Sequence, residues 1–218
     1  PEDIGVSWLP MYHDMGLIGF VVGPLFANVQ AVFLPTSSFA RRPRVWLETI
    51  HKHKATLTWA PNFGYALVAK RLKDKDLQGL DLSRLRVARC GAEPIQARTL
   101  REFAALLAPV GFRQEAFLPS YGMAEATLAI SFIGLDERLK TDVVDAGKLA
   151  NGEAAGTNGG GGPSSEVTCC GRPFPEHEVA IVGETGERLG ERRVGEILRY
   201  YALLKGIDPD TIGDVINL

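Results

Sequence analysis

From Val6 to Leu118, short β-prone runs alternate with helical apolar stripes, and no other feature constrains the fold as strongly. Val6, Trp8 and Leu9 lead to Pro10, Ala31–Leu34 reads as a short buried strand ending at Pro35, and Ala55–Ala60 leads to Pro61. Leu85–Ala88 runs into Arg89, Cys90, Gly91, Ala92, Glu93 and Pro94, and Gly111–Leu118 stops at Pro119. Between these runs, Met15–Ala27 reads as a buried helix kinked near Gly23 and Pro24. Val45, Trp46, Thr49 and Ile50 form a second stripe that opens at Pro43 and closes on His51, Lys52, His53 and Lys54. Phe63–Leu72 follows Asn62 as a candidate N-cap, and Leu100, Phe103, Ala104 and Leu107 mark a helix over Gln96–Leu107. Strand followed by helix, repeated, predicts an α/β fold: a mostly parallel sheet flanked by helices.

Composition narrows the function classes. The 218 residues are 45% hydrophobic and 23% charged, enough to build a core, and the formal net charge of -2 draws the chain neither to nucleic acid nor to an anionic membrane. Cys90, Cys169 and Cys170 make no C-x-x-C pair, so a reducing compartment, the cytoplasm, is expected. The apolar run Leu17–Ala31 is broken by Gly23, Pro24, Asn28 and Gln30, which argues against an integral membrane segment. His51 and His53 are spaced i, i+2 and fall on different helix faces, so they are not read as metal ligands. Residues 1–135 are expected to form the α/β part and 136–168 a flexible polar loop with its glycine run Gly159–Gly162. Residues 169–198 read as a small β subdomain, and 199–218 as an unassigned tail.

The stretch Phe117–Leu128 concentrates the chemistry. The strand is expected to end at Pro119, turn through Ser120 to Gly122, and lead into a helix-capable run over Met123–Ile130. Open α/β sheets bind ligands at such strand ends. Tyr121 offers a ring face to an adenine, Gly122 a close backbone approach, and Glu125 a hard ligand for Mg²⁺. His13 and Asp14 sit at a similar edge after the first strand. The same residues also have plain readings. Tyr121 could be a packing residue, Glu125 a helix-dipole partner, and Gly91-Ala92-Glu93-Pro94 an ordinary β-to-α turn.

Ser120-Tyr121-Gly122-Met123-Ala124-Glu125-Ala126-Thr127 resembles the Tyr-Gly-x-x-Glu core motif of the adenylate-forming superfamily of acyl-CoA synthetases, adenylation domains and luciferases. Ser7–Gly19 and Cys90–Ile95 match two further blocks in the right order, and the wording is most similar to the fatty acyl-AMP ligase branch. The resemblance covers about Gly5–Ile197 and implies part of an N-terminal domain of such an enzyme. It implies ATP and Mg as cofactors, a fatty acid as substrate, and as acceptor a carrier-protein or polyketide/nonribosomal synthase carrier-domain thiol, with coenzyme A, as in an acyl-CoA ligase, the alternative acceptor. The reaction implied is carboxylate attack on the α-phosphate, giving acyl-AMP and pyrophosphate. By the same likeness, Gly91, Ala92 and Glu93 read the adenine edge while Tyr121 covers its face. Ser120, Gly122, Met123 and Ala124 complete the nucleotide contact, Glu125 ligates Mg²⁺, and His13 lies beside the reacting oxygens. Ala124 stands where many relatives carry Thr. The upstream phosphate loop, the ribose aspartate and the C-terminal lysine have no counterpart, so the chain reads as a truncated piece with little turnover of its own. Two other classes stay open. One is a non-catalytic binding or scaffold module. The other is a hydrolase using Ser120, His13 and Asp14, against which stands the missing Gly-x-Ser-x-Gly elbow.

Overall fold

The computed structural model describes residues 2–150, 163–175 and 179–180. The chain divides into two compact bodies, residues 1–139 with 170–174, and residues 140–169 with 175–218.

The first body begins with β1 (Ile4–Ser7), α1 (Asp14–Leu17), a π-helical turn over Ile18–Val22 and α2 (Gly23–Ala27). It continues with β2 (Gln30–Phe33), α3 (Thr36–Arg41), α4 (Arg44–His53), β3 (Leu57–Ala60) and α5 (Asn62–Arg71). Next come β4 (Val87–Cys90), α6 (Ala97–Leu107), β5 (Phe117–Gly122) and β6 (Ala129–Phe132). In the second body, β7 (Thr141–Asp145), α7 (Ala146–Ala150) and β8 (Ser164–Thr168) build an antiparallel pair joined at its far end by the Cys169 N–H to the Lys140 carbonyl, 2.9 Å. The chain then returns to the first body as β9 (Arg172–Pro173).

Seven strands form one sheet in the order β2-β1-β3-β4-β5-β6-β9. The pairs from β2 to β5 are parallel, and β6 and β9 add antiparallel to that edge. The architecture is a mostly parallel sheet flanked by helices.

Alternation along the strands sorts the side chains onto two faces. One face carries Val6, Thr58, Ala60, Ala88 and Phe117 into a core closed by α4, α5 and α6. Trp46 and Tyr65 lie centroid to centroid at 5.5 Å, Tyr65 and Phe103 at 5.0 Å, and Tyr65 and Phe117 at 5.4 Å. Full burial of each ring contributes about 2–3 kcal/mol. The buried polar groups here are paired: Trp46 Nε1 donates to Thr58 Oγ1 at 2.9 Å, and Tyr65 Oη donates to the Arg89 carbonyl at 2.8 Å. The opposite face carries Gly5, Trp59, Arg89 and Ser120. It meets the α1–α2 segment through Phe20, whose ring lies 4.9 Å from that of Trp59.

Five sequence expectations change. The segment Met15–Ala27 is helical but not buried as a whole: Met15, Gly16, Gly19 and Phe20 are covered, while Leu25 and Phe26 are 77% and 95% exposed. Its kink takes the form of the π turn, because Pro24 has no N–H to give the Phe20 carbonyl four residues back. The strand expected over Ala31–Leu34 is β2, an outer strand with partly exposed side chains rather than a buried one. Asn62 lies inside α5 and not at its N-cap, which is Pro61. Within 136–168, the described residues include β7, α7 and β8 where a loop was expected, and Gly159–Gly162 lies outside the described residues.

The fifth change falls on the central motif. Pro119 lies within β5, and Met123–Ile130 is not a helix: a single 3-10 turn over Ala124–Ala126 is followed by reversal into β6. Thr127 takes φ 68° and ψ -55°, and the Leu128 N–H bonds the Ala126 carbonyl at 2.8 Å, which is a γ-turn. A Cβ on Gly122 would sit 1.8 Å from the Leu128 carbonyl oxygen, so only glycine lets the two strands close this tightly. Pairing with β5 outweighs the helical propensity of Met, Ala, Glu and Leu.

Candidate adenylate-binding site

The carboxyl ends of β1, β3, β4 and β5 open on one edge of the sheet, and the residues singled out in the sequence gather there. At the end of β4, Ala92 adopts φ 70°, a left-handed conformation that a side-chain-bearing residue rarely takes. Two side chains hold it, Glu93 of the loop itself and Asn62 at the start of α5. Glu93 Oε1 accepts the Phe63 N–H at 2.5 Å, and Asn62 Oδ1 accepts the Gln96 N–H at 3.1 Å. The loop and the first turn of α5 are thereby tied together in both directions. Burial raises the Glu93 carboxyl above its ordinary value, and the Phe63 N–H works against that rise.

The end of β5 lies directly alongside. Cys90 pairs with Pro119, and Ser120 Oγ donates to the Cys90 carbonyl at 3.2 Å while accepting from Arg89 Nε at 3.0 Å. A Cβ on Gly91 would meet Ser120 Oγ at 2.8 Å, so the glycine accommodates Ser120 in the first place. Tyr121 is half-buried opposite Ser131 at the point where the β5–β6 register shifts. Met123 is extended, and Ala124 and Glu125 are exposed in the turn between β5 and β6.

His13 arrives from β1. That strand is separated from β4 by β3 alone, which puts its end roughly 10 Å from the Gly91 loop at ordinary strand spacing. The imidazole is 54% exposed, and Nδ1 lies 2.5 Å from Asp14 Oδ1. The Met15 N–H reaches Asp14 Oδ1 at 2.7 Å and His13 Nδ1 at 3.2 Å. We assign the proton to Nδ1, which donates to Asp14; Asp14 Oδ1 is then the acceptor of the Met15 N–H in place of Nδ1, and Nε2 is the ring nitrogen that keeps its lone pair.

The structure therefore packs Gly91 against Ser120 and sets Ala92, Glu93, Tyr121, Gly122, Met123, Ala124, Glu125 and His13 at the same edge of the sheet. Sequence reasoning passed over Arg89, Asn62 and Phe63. For Arg89 a signal existed, a cation inside a strand otherwise made of Val, Ala and Cys.

The sequence pattern of the AMP-binding enzyme family matches residues 1–200. The chain belongs to that family. Against the medium-chain-fatty-acid–acyl-carrier-protein ligase TtuA of Teredinibacter turnerae, this AMP-binding chain is 38% identical over 88% of its length and 30% of the relative's. Against the long-chain-fatty-acid–AMP ligase FadD26 of Mycobacterium bovis, identity is 36% over 90% of the chain and 34% of the relative. Its backbone superposes on a structure from work on fatty acyl-adenylate ligases of E. coli and L. pneumophila, with a TM-score of 0.85 and 42% identity. That superposition covers 88% of this chain and 35% of the other. The fatty acyl-AMP ligase likeness is thus borne out along most of the chain, which spans about a third of the length of the relatives it matches. Among the described residues, no helix is long and apolar enough to cross a membrane.

Glu125 is an exposed carboxylate in the turn between β5 and β6, and its hard oxygen is a donor type that magnesium accepts. One or two carboxylates plus substrate phosphates and retained water is the usual magnesium arrangement.

Proposed function

We propose that this chain carries the acyl- and adenylate-binding part of a fatty acyl-AMP ligase, which activates a fatty acid with ATP for transfer to a carrier-protein thiol. The observation that carries the reading is the contact of Gly91 with Ser120 at the neighbouring ends of β4 and β5, fixed by the bond from Ser120 Oγ to the Cys90 carbonyl. Strain at Ala92, held by Glu93 and Asn62, presents loop peptide groups in a fixed orientation, as recognition of an adenine edge requires. Tyr121 supplies the ring face.

The fatty-acid carboxylate attacks the α-phosphorus of ATP; the acyl oxygen–phosphorus bond forms and pyrophosphate leaves. Both reactants are anions, so the site must align them and offset negative charge. His13 Nε2 is the group available to the reacting oxygens, with Asp14 orienting the ring from Nδ1. Glu125 would hold magnesium, which when bound neutralises phosphate charge. Ser120, Gly122, Met123 and Ala124 shape the backbone around the nucleotide. The ligase named TtuA favours a carrier protein as acceptor. The cytoplasm is the proposed compartment. Because the chain matches a third of its relatives' length, turnover by the isolated chain is proposed to be slight.

The test is calorimetric titration of the folded chain with a non-hydrolysable acyl-sulfamoyl-adenosine, with AMP as control and Tyr121→Ala and Glu125→Ala as variants. The expected result is binding that Tyr121→Ala weakens by about tenfold. A folded chain that binds no mimic would leave the scaffold reading in its place, and robust ATP–pyrophosphate exchange by the chain alone would overturn the claim of slight turnover.

A further inference from the structure

Arg89 lies one residue inside the sheet from Cys90 and the Gly91 loop, and it is 8% exposed. Its guanidinium carbon lies over the Trp59 ring at 4.9 Å from the centroid and over the Phe132 ring at 4.4 Å. Nε donates to Ser120 Oγ. The terminal nitrogens Nη1 and Nη2 have no acceptor, and no carboxylate pairs with the group, among the described residues.

A buried cation without an acid is costly, and structures rarely keep one without a purpose. Burial lowers the Arg89 pKa to about 10, so the side chain is still charged at neutral pH. Packing is not a sufficient reason for it, since a leucine or methionine would fill the space between Trp59 and Phe132 without the desolvation penalty. Nor does Ser120 need it, because its hydroxyl already bonds the Cys90 carbonyl. What the surroundings add is direction. Two aromatic rings cover the guanidinium and Ser120 occupies its Nε edge, which leaves the Nη edge as the approach. That edge offers two parallel N–H donors, the geometry that matches a carboxylate bidentately. The supports of the arrangement are also built in: a Cβ on Gly19 would sit 1.9 Å from the Trp59 ring, so the glycine is what allows Trp59 its position, and Phe174 braces Phe132 at 4.3 Å.

We propose that Arg89 is a specificity-determining residue that receives a second carboxylate on the acyl substrate, so that among fatty acids this site favours dicarboxylic ones over those ending in a methyl group. The inference rests on the adenylate reading above and narrows its substrate class. The carboxylate that reacts is consumed in the acyl linkage; the one at Arg89 is unreacted and remains in the product. No bond forms at Arg89.

The experiment uses acyl-sulfamoyl-adenosines, in which the reacting carboxyl is already tied up, so only a second carboxylate can distinguish them. Succinyl, adipoyl and dodecanedioyl tails are compared with butyryl, hexanoyl and dodecanoyl tails by calorimetry on the wild-type chain, on Arg89→Met and on Arg89→Lys. The readout is the affinity ratio within each matched pair. The expected wild-type ratio favours the carboxylate-ended tail by about tenfold or more for at least one length, as a charge-assisted bidentate pair requires. Arg89→Met brings that ratio to near one, and Arg89→Lys restores part of it. A ratio near one at every length in the wild-type chain overturns the inference while the adenylate reading stands on the methyl-ended tails. Binding of neither series by a chain that circular dichroism shows to be folded overturns both. Should Arg89→Met fail to fold, the wild-type ratios still decide.

Discussion

The two faces of the sheet are made from the same strands, one mainly with Val6, Ala60, Ala88 and Phe117 and the other with Gly5, Trp59, Arg89 and Ser120, and they are used differently. On the α4–α6 face, aromatic rings close on one another and every side-chain polar group named above has a partner. On the α1–α2 face, Leu25 and Phe26 stand exposed, a π turn interrupts the helix, and Arg89 sits between two rings with no acceptor for its Nη nitrogens among the described residues. The first face is a packed core whose energy comes from burial, although it leaves the buried Trp8 Nε1 without a hydrogen-bond partner among the described residues. The second carries a cation with which no carboxylate pairs among the described residues, and the loops at the carboxyl ends of β4 and β5 hold Ala92 and Thr127 at positive φ. The difference shows that apolar periodicity defines an element and its stripe, whereas the element's use depends on what covers the stripe.

Substitutions can break this contrast. Phe103 touches the rings of Tyr65, Phe112 and Phe117, and Phe103→Ala is expected to lower stability by about 3–5 kcal/mol in urea unfolding. A loss as small as that of an α2 variant would mean that the two faces are packed alike. Gly19→Ala places a methyl against the Trp59 ring and is expected to cost about 1–3 kcal/mol, with a change in tryptophan fluorescence as Trp59 is displaced. Tyr65→Phe leaves the Arg89 carbonyl without its hydroxyl donor, a loss of about 1–1.5 kcal/mol.

The two edges of the sheet sharpen the comparison through pH. At the edge where β1 begins, hydrogen bonds from Arg86 and Thr56 hold the Asp3 carboxyl below its ordinary value of 3.8. A depressed carboxylate contributes stability that is present above 3.8 and disappears as pH falls through the folded value. Asp3→Asn is therefore expected to lose about 1 kcal/mol at neutral pH, with the gap from wild type closing in acid, as thermal melts across pH would record. At the site edge the sign reverses. Glu93 is raised by burial, so its contribution is largest below its ordinary value of 4.5 and declines as pH rises through the folded value. The smallest effect is expected at Phe26→Ser, within about 0.5 kcal/mol because the ring is already exposed, accompanied by less self-association in light scattering.

Much of this was legible in the chain itself. The stripe Leu100, Phe103, Ala104 and Leu107 located α6, and the β-prone runs ending at Pro10 and Pro61 located β1 and β3. The motif Ser120–Glu125 was found because its residue types and order are local. The turn inside that motif was not. Met123–Ile130 has helical propensity, and only the strand at β5 and the carbonyl approach at Gly122 make it a γ-turn and an antiparallel strand. Asn62 was assigned to a cap by its neighbours in sequence, and its true partner, Gln96, lies in another loop.

The sequence by itself determined the alternation of strands and helices, the family, and the identity of the groups at the sheet edge, because each depends on residues a few positions apart. Tertiary structure decided which face became core, how Glu93 and Asn62 hold the loop at Ala92, and that Arg89 is enclosed by Trp59, Ser120 and Phe132. Those are contacts between strands and loops about 30 or more residues apart in the chain, formed only when loop-closure entropy has been met by burial, and no local pattern reports them.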